Sequence, residues 1–543
     1  MRRSLVLLLL LLATPLIADL TALRVLQSGN GFGSMAMHER GIDGSGEIIA
    51  VVDTGADVDS CAFAELDGSL PPANTGSPAG GLATANVDLS RRKVVAYDFL
   101  FSCDQYPGRA GCDDPADPRA WDNSGHGTIV ASIAAGDRAP VGIAAEGDGL
   151  APGAKLIVQD LGYVPTSPCS VPGLGCPPSD LAPILDQAYR QGARIQTQEW
   201  GDRMGAYSAL SGQLDAFVAS HPDFVLVFNA GNAGETGPSS VTGPGLAKNT
   251  IQAGGTREMN FDDSVVWEKS GRGPAQGGRI KPDLVVPSYI YGSTSNGRVD
   301  VPSCEGIYTV GTSWSAPLVA GAAALVRQYY REGFYPTGSA RARDALEPSA
   351  ALVKATLIAA ARPVPYVVRN GVRVEAGPAP SYDQGFGMPV LADVLSFDAR
   401  APRMRAVDGT PGLAAGETYE VTVRSARAGR LSATLVWTDP AGAELVNDLD
   451  VELIGPAGAR AVGNGALTGG AFDRANTVEK AEVAAAAAGT WTVRVRGHRV
   501  TAGQRQPFAL VVAGDLVPET ARRRLVGRQG SPAAVRPPGV ADE

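Results

Sequence analysis

Between Gly46 and about Tyr335 the apolar positions fall in short, unbroken runs rather than alternating ones. Runs over residues 47–53, 93–100, 154–161, 194–201, 224–231 and 249–254 suit strands covered on both faces. Helix-like segments separate them at 127–135, 181–190 and 209–220. This βαβ rhythm predicts an α/β fold, a mostly parallel sheet sandwiched by helices. From about Arg400 the texture changes. Alternating segments such as Tyr419-Glu-Val-Thr-Val423, Ser432-Ala-Thr-Leu-Val-Trp437 and Thr490-Trp-Thr-Val-Arg-Val495 predict an antiparallel β-sandwich or jelly roll. The expected organisation is a leader at 1–18, an α/β domain at 19–400, a linker at 401–416, a β domain at 417–517 and a disordered tail at 518–543.

Composition narrows the picture. The chain has 543 residues, long enough for two cores, and a net charge of −9, which disfavours a nucleic-acid partner. Arg2 and Arg3 precede the apolar run Leu5–Leu12, the pattern of a secretory signal cleaved after Ala18, with an uncleaved anchor as the alternative. An extracellular location follows, and with it a disulfide reading of the six cysteines. Cys103/Cys112 and Cys169/Cys176 are close enough in sequence to close short loops, which leaves Cys61 and Cys304 as the third pair. No C-x-x-C motif or neighbouring histidine favours zinc.

Three local patterns carry chemistry. Glu47-Ile-Ile-Ala-Val-Val-Asp53-Thr-Gly55 is a buried strand delivering a carboxylate at its C-terminal end, where open α/β sheets gather functional groups. Asn123-Ser-Gly-His126-Gly-Thr128 leads into a helix of small residues, and its glycines allow close backbone approach. Gly311-Thr-Ser313-Trp-Ser-Ala-Pro317 opens an Ala-rich helix, so Ser313 sits at or just before a helix N-terminus that favours negative charge. Singly, each has a structural explanation: a turn Asp, a structural His, an N-cap Ser. Together they occur in the order Asp, His, Ser, one of the known chain orders of a nucleophilic triad.

The segment resembles the catalytic domain of the subtilisin-like proteases, the subtilases. Phe228-Asn-Ala-Gly-Asn232 is similar to that family's oxyanion-hole segment, and Ser270-Gly-Arg-Gly-Pro274 with Gly278-Arg-Ile-Lys-Pro-Asp283 to another of its hallmark stretches. Trp437-Thr-Asp439, Leu445-Val-Asn-Asp-Leu-Asp450 and Asn476-Thr-Val-Glu479 resemble the C-terminal domain of the larger alkaline subtilisins. The resemblance spans about residues 30–515. It implies a secreted serine endopeptidase acting on proteins or peptides as a monomer, with Ser313 as nucleophile, His126 as base, Asp53 orienting it and Asn232 in the oxyanion hole. It also implies substrate contacts at Glu199, Trp200, Gly201, Ala230 and Gly231.

The chemistry so implied needs no cofactor or catalytic metal. Calcium is common in the family, and Asp448 and Asp450 are the candidate ligands, with solvated surface charges as the favoured reading. Two features depart from the pattern. Asp53 follows the expected cleavage point by only about 35 residues, fewer than the roughly 40 needed to fold unaided, so either the domain folds without the family's folded propeptide or the sequence begins inside a longer chain. Glu199 stands where the family has a small serine; side-chain direction at a strand end is open, and a solvated charge turned away from the pocket is the expectation. The alternatives are an aspartic protease, from Asp53-Thr-Gly55 but without a second such tripeptide, and a catalytically silent binding protein on the same scaffold. A metalloprotease is excluded by the absence of H-E-x-x-H.

Overall fold

The computed structural model describes residues 21–518 apart from 78–80, 101, 103–113, 120, 123, 139–146, 163–178, 202–203 and 257–263. The expected leader, nearly all of the expected tail and the Cys103/Cys112 and Cys169/Cys176 pairs lie outside the described residues. Seven strands run parallel: β1 (Ile48–Asp53), β2 (Val94–Phe99), β3 (Lys155–Asp160), β4 (Ile195–Gln198), β5 (Val225–Asn229), β6 (Ile251–Thr256) and β7 (Leu284–Pro287). Their order is β7-β6-β5-β4-β1-β3-β2, with short strands extending both edges. Almost every position on them is buried, which is why they read as continuous apolar runs.

Two helices cover one face of this sheet next to the site: α1 (His126–Ala135) and, later in the chain, α4 (Thr312–Arg331). On the other face lie α2 (Ala182–Arg190) and α3 (Ala209–Ser220), toward which Gln159 of β3 donates to the Ile184 carbonyl. The chain runs from β1 to β2 and β3 on one side, then crosses to β4 and onward on the other. The order therefore reverses about β1. The C-terminal ends of β1 and β4 bound the resulting crevice, the usual position of an α/β site.

The C-terminal region forms two four-stranded antiparallel sheets. Its strands are β8 (Met404–Leu413), β9 (Thr418–Ser425), β10 (Gly429–Val436), β11 (Asp448–Ile454), β12 (Arg460–Val462), β13 (Val478–Ala486), β14 (Gly489–Arg499) and β15 (Gln506–Gly514). One sheet has the order β8-β15-β10-β13, the other β9-β14-β11-β12. Leu431, Ala433 and Leu435 of β10 share a core with Leu449, Val451 and Leu453 of β11 and Val493 and Val495 of β14, so the sheets form a sandwich.

The expected linker at 401–416 is overturned: most of it is β8, a ten-residue strand paired with β15. Gly409, Pro411 and Gly412 disguised it. They are tolerated because β8 pairs with one neighbour only, and an edge strand accepts Pro and a bulge. Nor does a solvated hinge divide the two regions. Ala509, Val511 and Ala513 of β15 join the core of the α/β region, while Phe508, Leu510 and Val512 point into the sandwich. Helix α5 (Ala350–Ala359) packs on β15 and β10 at this junction.

Polar groups complete the junction. The Lys248 ammonium, fully buried, pairs with the equally buried Asp439 carboxylate at 2.5 Å and donates to the Pro440 and Glu444 carbonyls. Asn249 and Asp439 exchange two hydrogen bonds of 2.9 Å, and Ile280 N–H donates to Asn476. Several residues that marked the β domain in the sequence thus hold it to the α/β region.

Candidate active site

Asp53 is the last residue of β1 and is 1% exposed. Its Oδ1 accepts from Thr54 N–H at 2.8 Å and lies 2.7 Å from His126 Nδ1. Beside a carboxylate, Nδ1 carries the proton, and Nε2 keeps its lone pair for another partner. His126 opens α1. Gly125 before it adopts φ +77°, and Gly127 after it packs so tightly that a Cβ there would lie 2.0 Å from the Gly55 carbonyl oxygen. The flanking glycines therefore let the histidine approach the end of β1.

A further residue holds this turn and escaped the sequence reading. Asp122, buried, accepts from the N–H groups of Ser124, Gly125 and Thr128 and from the Thr128 hydroxyl, and takes a fifth bond from Thr54 Oγ1. Thr54 in turn accepts from Gly127 N–H at 2.9 Å. The only sequence signal for Asp122 is an acidic residue closely preceding a Gly-His-Gly helix start; Asn123, beside it, lies outside the described residues. Burial works to lower the His126 pKa, but the charge and hydrogen bond of Asp53, with the charge of Asp122, outweigh it, and the pKa stands above its ordinary 6.5.

Ser313 is the second residue of α4 and 8% exposed. In the first turn its N–H precedes the helix's own hydrogen-bond ladder, and Pro317, four residues on, has no N–H to offer the Ser313 carbonyl. The helix starts earlier than the Ala-rich stretch suggested, so Pro317 lies inside it rather than at its first position. Trp314 sets its ring 4.8 Å from the His126 ring, which brings the start of α4 against the start of α1. Asn232 is exposed, and its Oδ1 accepts from both Thr312 N–H and Thr312 Oγ1–H at 2.9 Å. With the oxygen so engaged, the amide NH₂ faces away from Thr312. Thr312, like Asp122, was not singled out in the sequence.

The remaining residues divide. Gly201 and Gly231 flank Thr242, since a Cβ on either would meet the Thr242 side chain at 2.8 and 2.7 Å. Ala230 has both backbone groups engaged, donating to Ala253 and accepting from Thr242. The Trp200 ring is buried, edge-on to Phe228, and belongs to the core rather than to a substrate surface. Glu199 corrects an expectation. It is 5% exposed, not a solvated charge, and Thr197 Oγ1 donates to its Oε1 at 2.5 Å. The β1–β4 register pairs Val52 with Gln198, so the next step puts Glu199 beside Asp53 on the same face. Asp448 and Asp450 are likewise not solvated: both are buried and bound by the Arg474 guanidinium. Among the described residues no group of three or more His, Cys, Asp or Glu is arranged for a metal ion. Cys61 and Cys304 form a disulfide.

The subtilase family profile matches residues 44–387, well over half of the chain. The chain belongs to the subtilase family. This subtilase is 26% identical to the serine protease/ABC transporter B family protein tagD of Dictyostelium discoideum over 76% of the chain and 28% of that protein. It is 34% identical to the serine protease AprX of Bacillus subtilis over 18% of the chain and 25% of that protein. The subtilase thus spans under a third of the length of either relative. Among solved structures, a serine protease of Aeromonas sobria is similar at 15% identity and a TM-score of 0.41, covering 92% of this chain and 94% of that one.

Proposed function

We propose that this subtilase is a serine endopeptidase that cleaves proteins or peptides through Ser313, His126 and Asp53. The observation that carries the reading is the 2.7 Å contact between Asp53 Oδ1 and His126 Nδ1, at the crevice where the strand order reverses. It leaves Nε2 as the free base, with Trp314 at the start of α4 tilted against the same ring. Nε2 takes the Ser313 proton as Oγ attacks the scissile carbonyl, then returns it to the leaving amine. Asp53 holds the tautomer and stabilises the imidazolium. The Ser313 N–H and the Asn232 amide donate to the oxyanion; the α4 dipole adds to their field. Water then attacks the acyl group by the same route in reverse.

Export from the cytoplasm belongs to the same proposal. The charged and apolar start of the sequence supports it, as does the Cys61–Cys304 disulfide. No helix among the described residues is long and apolar enough to cross a membrane. The test is labelling of the purified protein with a fluorophosphonate probe, followed by peptide mapping. Modification at Ser313 that vanishes in Ser313→Ala is the expected result. A folded sample that takes no label would overturn the catalytic reading in favour of a silent binding scaffold.

A further inference from the structure

Two buried oxygens beside the site have no partner. Asp53 places Oδ1 on both His126 and Thr54, which leaves its Oδ2 buried and without a hydrogen bond among the described residues. Glu199 places Oε1 on Thr197, and its Oε2 is buried and unpartnered in the same way. The parallel register brings the two residues side by side on one face of adjacent strands, with β5 and its Asn229 on the far side of Glu199. Neither oxygen has access to solvent, and neither can satisfy the other while both carboxyls are ionised.

We propose that Glu199 is a positioning residue that stays protonated at neutral pH and donates its Oε2 proton to Asp53 Oδ2, directly or through one water. The inference rests on the endopeptidase reading for its catalytic consequence but not for its protonation state. One proton satisfies both orphan oxygens. It also anchors the second oxygen of Asp53, so that the carboxylate cannot rotate away from His126.

The electrostatic surroundings agree. Burial above all, and then the Asp53 charge, push the Glu199 carboxyl well above the ordinary range; the Thr197 hydrogen bond and the nearby polar Asn229 side chain oppose this without reversing it. Among the described residues, the charged or titratable groups around Glu199 are Asp53 on β1, Asp160 beyond it on β3, His126 on α1 and Asp122 in the turn before α1. Three of these four are carboxyls, so a further anion at Glu199 has no cation to balance it except a protonated His126.

A charged and a neutral Glu199 make opposite forecasts for Glu199→Gln. The amide reproduces a neutral donor, so the acid limb of the kcat–pH profile keeps its position if Glu199 is neutral. Were Glu199 an anion, its removal would draw that limb to lower pH. Glu199→Ala leaves Asp53 Oδ2 unpartnered and is expected to lower kcat at least tenfold with KM nearly unchanged, and Glu199→Gln to recover most of that loss. Infrared difference spectra supply a readout independent of activity. A protonated carboxyl C=O band at pH 7, present in the wild type and in Ser313→Ala but absent in Glu199→Gln, is the expected result. No such band, or Glu199→Gln behaving as Glu199→Ala with a displaced limb, would overturn the assignment. A band in a protein that proves inactive would sustain it while the endopeptidase reading fell.

Discussion

Asn232 is an exposed side chain whose amide would turn freely but for Thr312, and this makes its role measurable. Replacing Asn232 by Ala removes one donor to the oxyanion and should lower kcat by about 10²–10³ with KM little changed, because the bond forms only as charge develops. Thr312 offers that amide two bonds of equal length, one from N–H and one from Oγ1–H. Thr312→Val removes only the second and keeps the buried shape. A neutral hydrogen bond contributes about 1 kcal/mol net, so the loss in kcat should be about fivefold. If the Thr312 hydroxyl acts only by aiming the amide, Asn232→Ala/Thr312→Val is no slower than Asn232→Ala. Steady-state kinetics on a fluorogenic peptide, with active enzyme counted by fluorophosphonate titration, read all three variants. Multiplying losses in the double variant would refute the aiming role. Wild-type kcat in Asn232→Ala, or a loss confined to KM, would refute the oxyanion assignment itself.

Other predictions follow from the geometry. Because His126 must be neutral to act as base and its pKa is raised, kcat should climb through a pKa above 6.5; Asp53→Asn removes the main charge that raises it, leaving burial opposed only by the weaker pull of Asp122, so the limb moves down as kcat falls by about 10⁴. The same shift contributes stability that is full below pH 6.5 and is lost as pH rises through the folded value, which pH-dependent unfolding of the wild type against His126→Gln would register. Lys248→Met strands the buried Asp439 charge and should cost about 3–5 kcal/mol in urea unfolding; adding Asp439→Asn should return part of it, and a cost under 1 kcal/mol would show the pair to be dispensable. The Cys61–Cys304 bond closes a loop across 243 positions, so Cys61→Ser/Cys304→Ser should lose about 2–5 kcal/mol by the same assay.

Six of the seven parallel strands were legible to within two residues at most ends, because strands buried on both faces leave unbroken apolar runs; β7, four residues ending in Pro287, was too short a run to stand out. Asp53, His126 and Ser313 stood out as candidates because each sits at the junction of a buried strand or small-residue helix with a glycine. Asp122 and Thr312 were not, since each is a small polar residue whose meaning depends on a partner distant in the chain: Thr54 in one case, Asn232 in the other. The direction of Glu199 required the register between two strands separated by more than a hundred residues. β8 was hidden by Gly and Pro that an edge position permits. The burial of Asp448 and Asp450 was hidden because their cation, Arg474, lies more than twenty residues downstream.

β15 has one side in the sandwich and the other against α5, so no row of its residues is left for water. A strand of that kind cannot serve as the outer wall of a transferable cassette. Cutting the chain near residue 400 would lay bare Ala509, Val511 and Ala513 on one fragment and α5 on the other, and each fragment would be adhesive. For anyone shortening or grafting this subtilase, the α/β region and the sandwich are therefore to be carried together, and sites for tags or insertions belong in the turns of the sheet formed by β9, β14, β11 and β12.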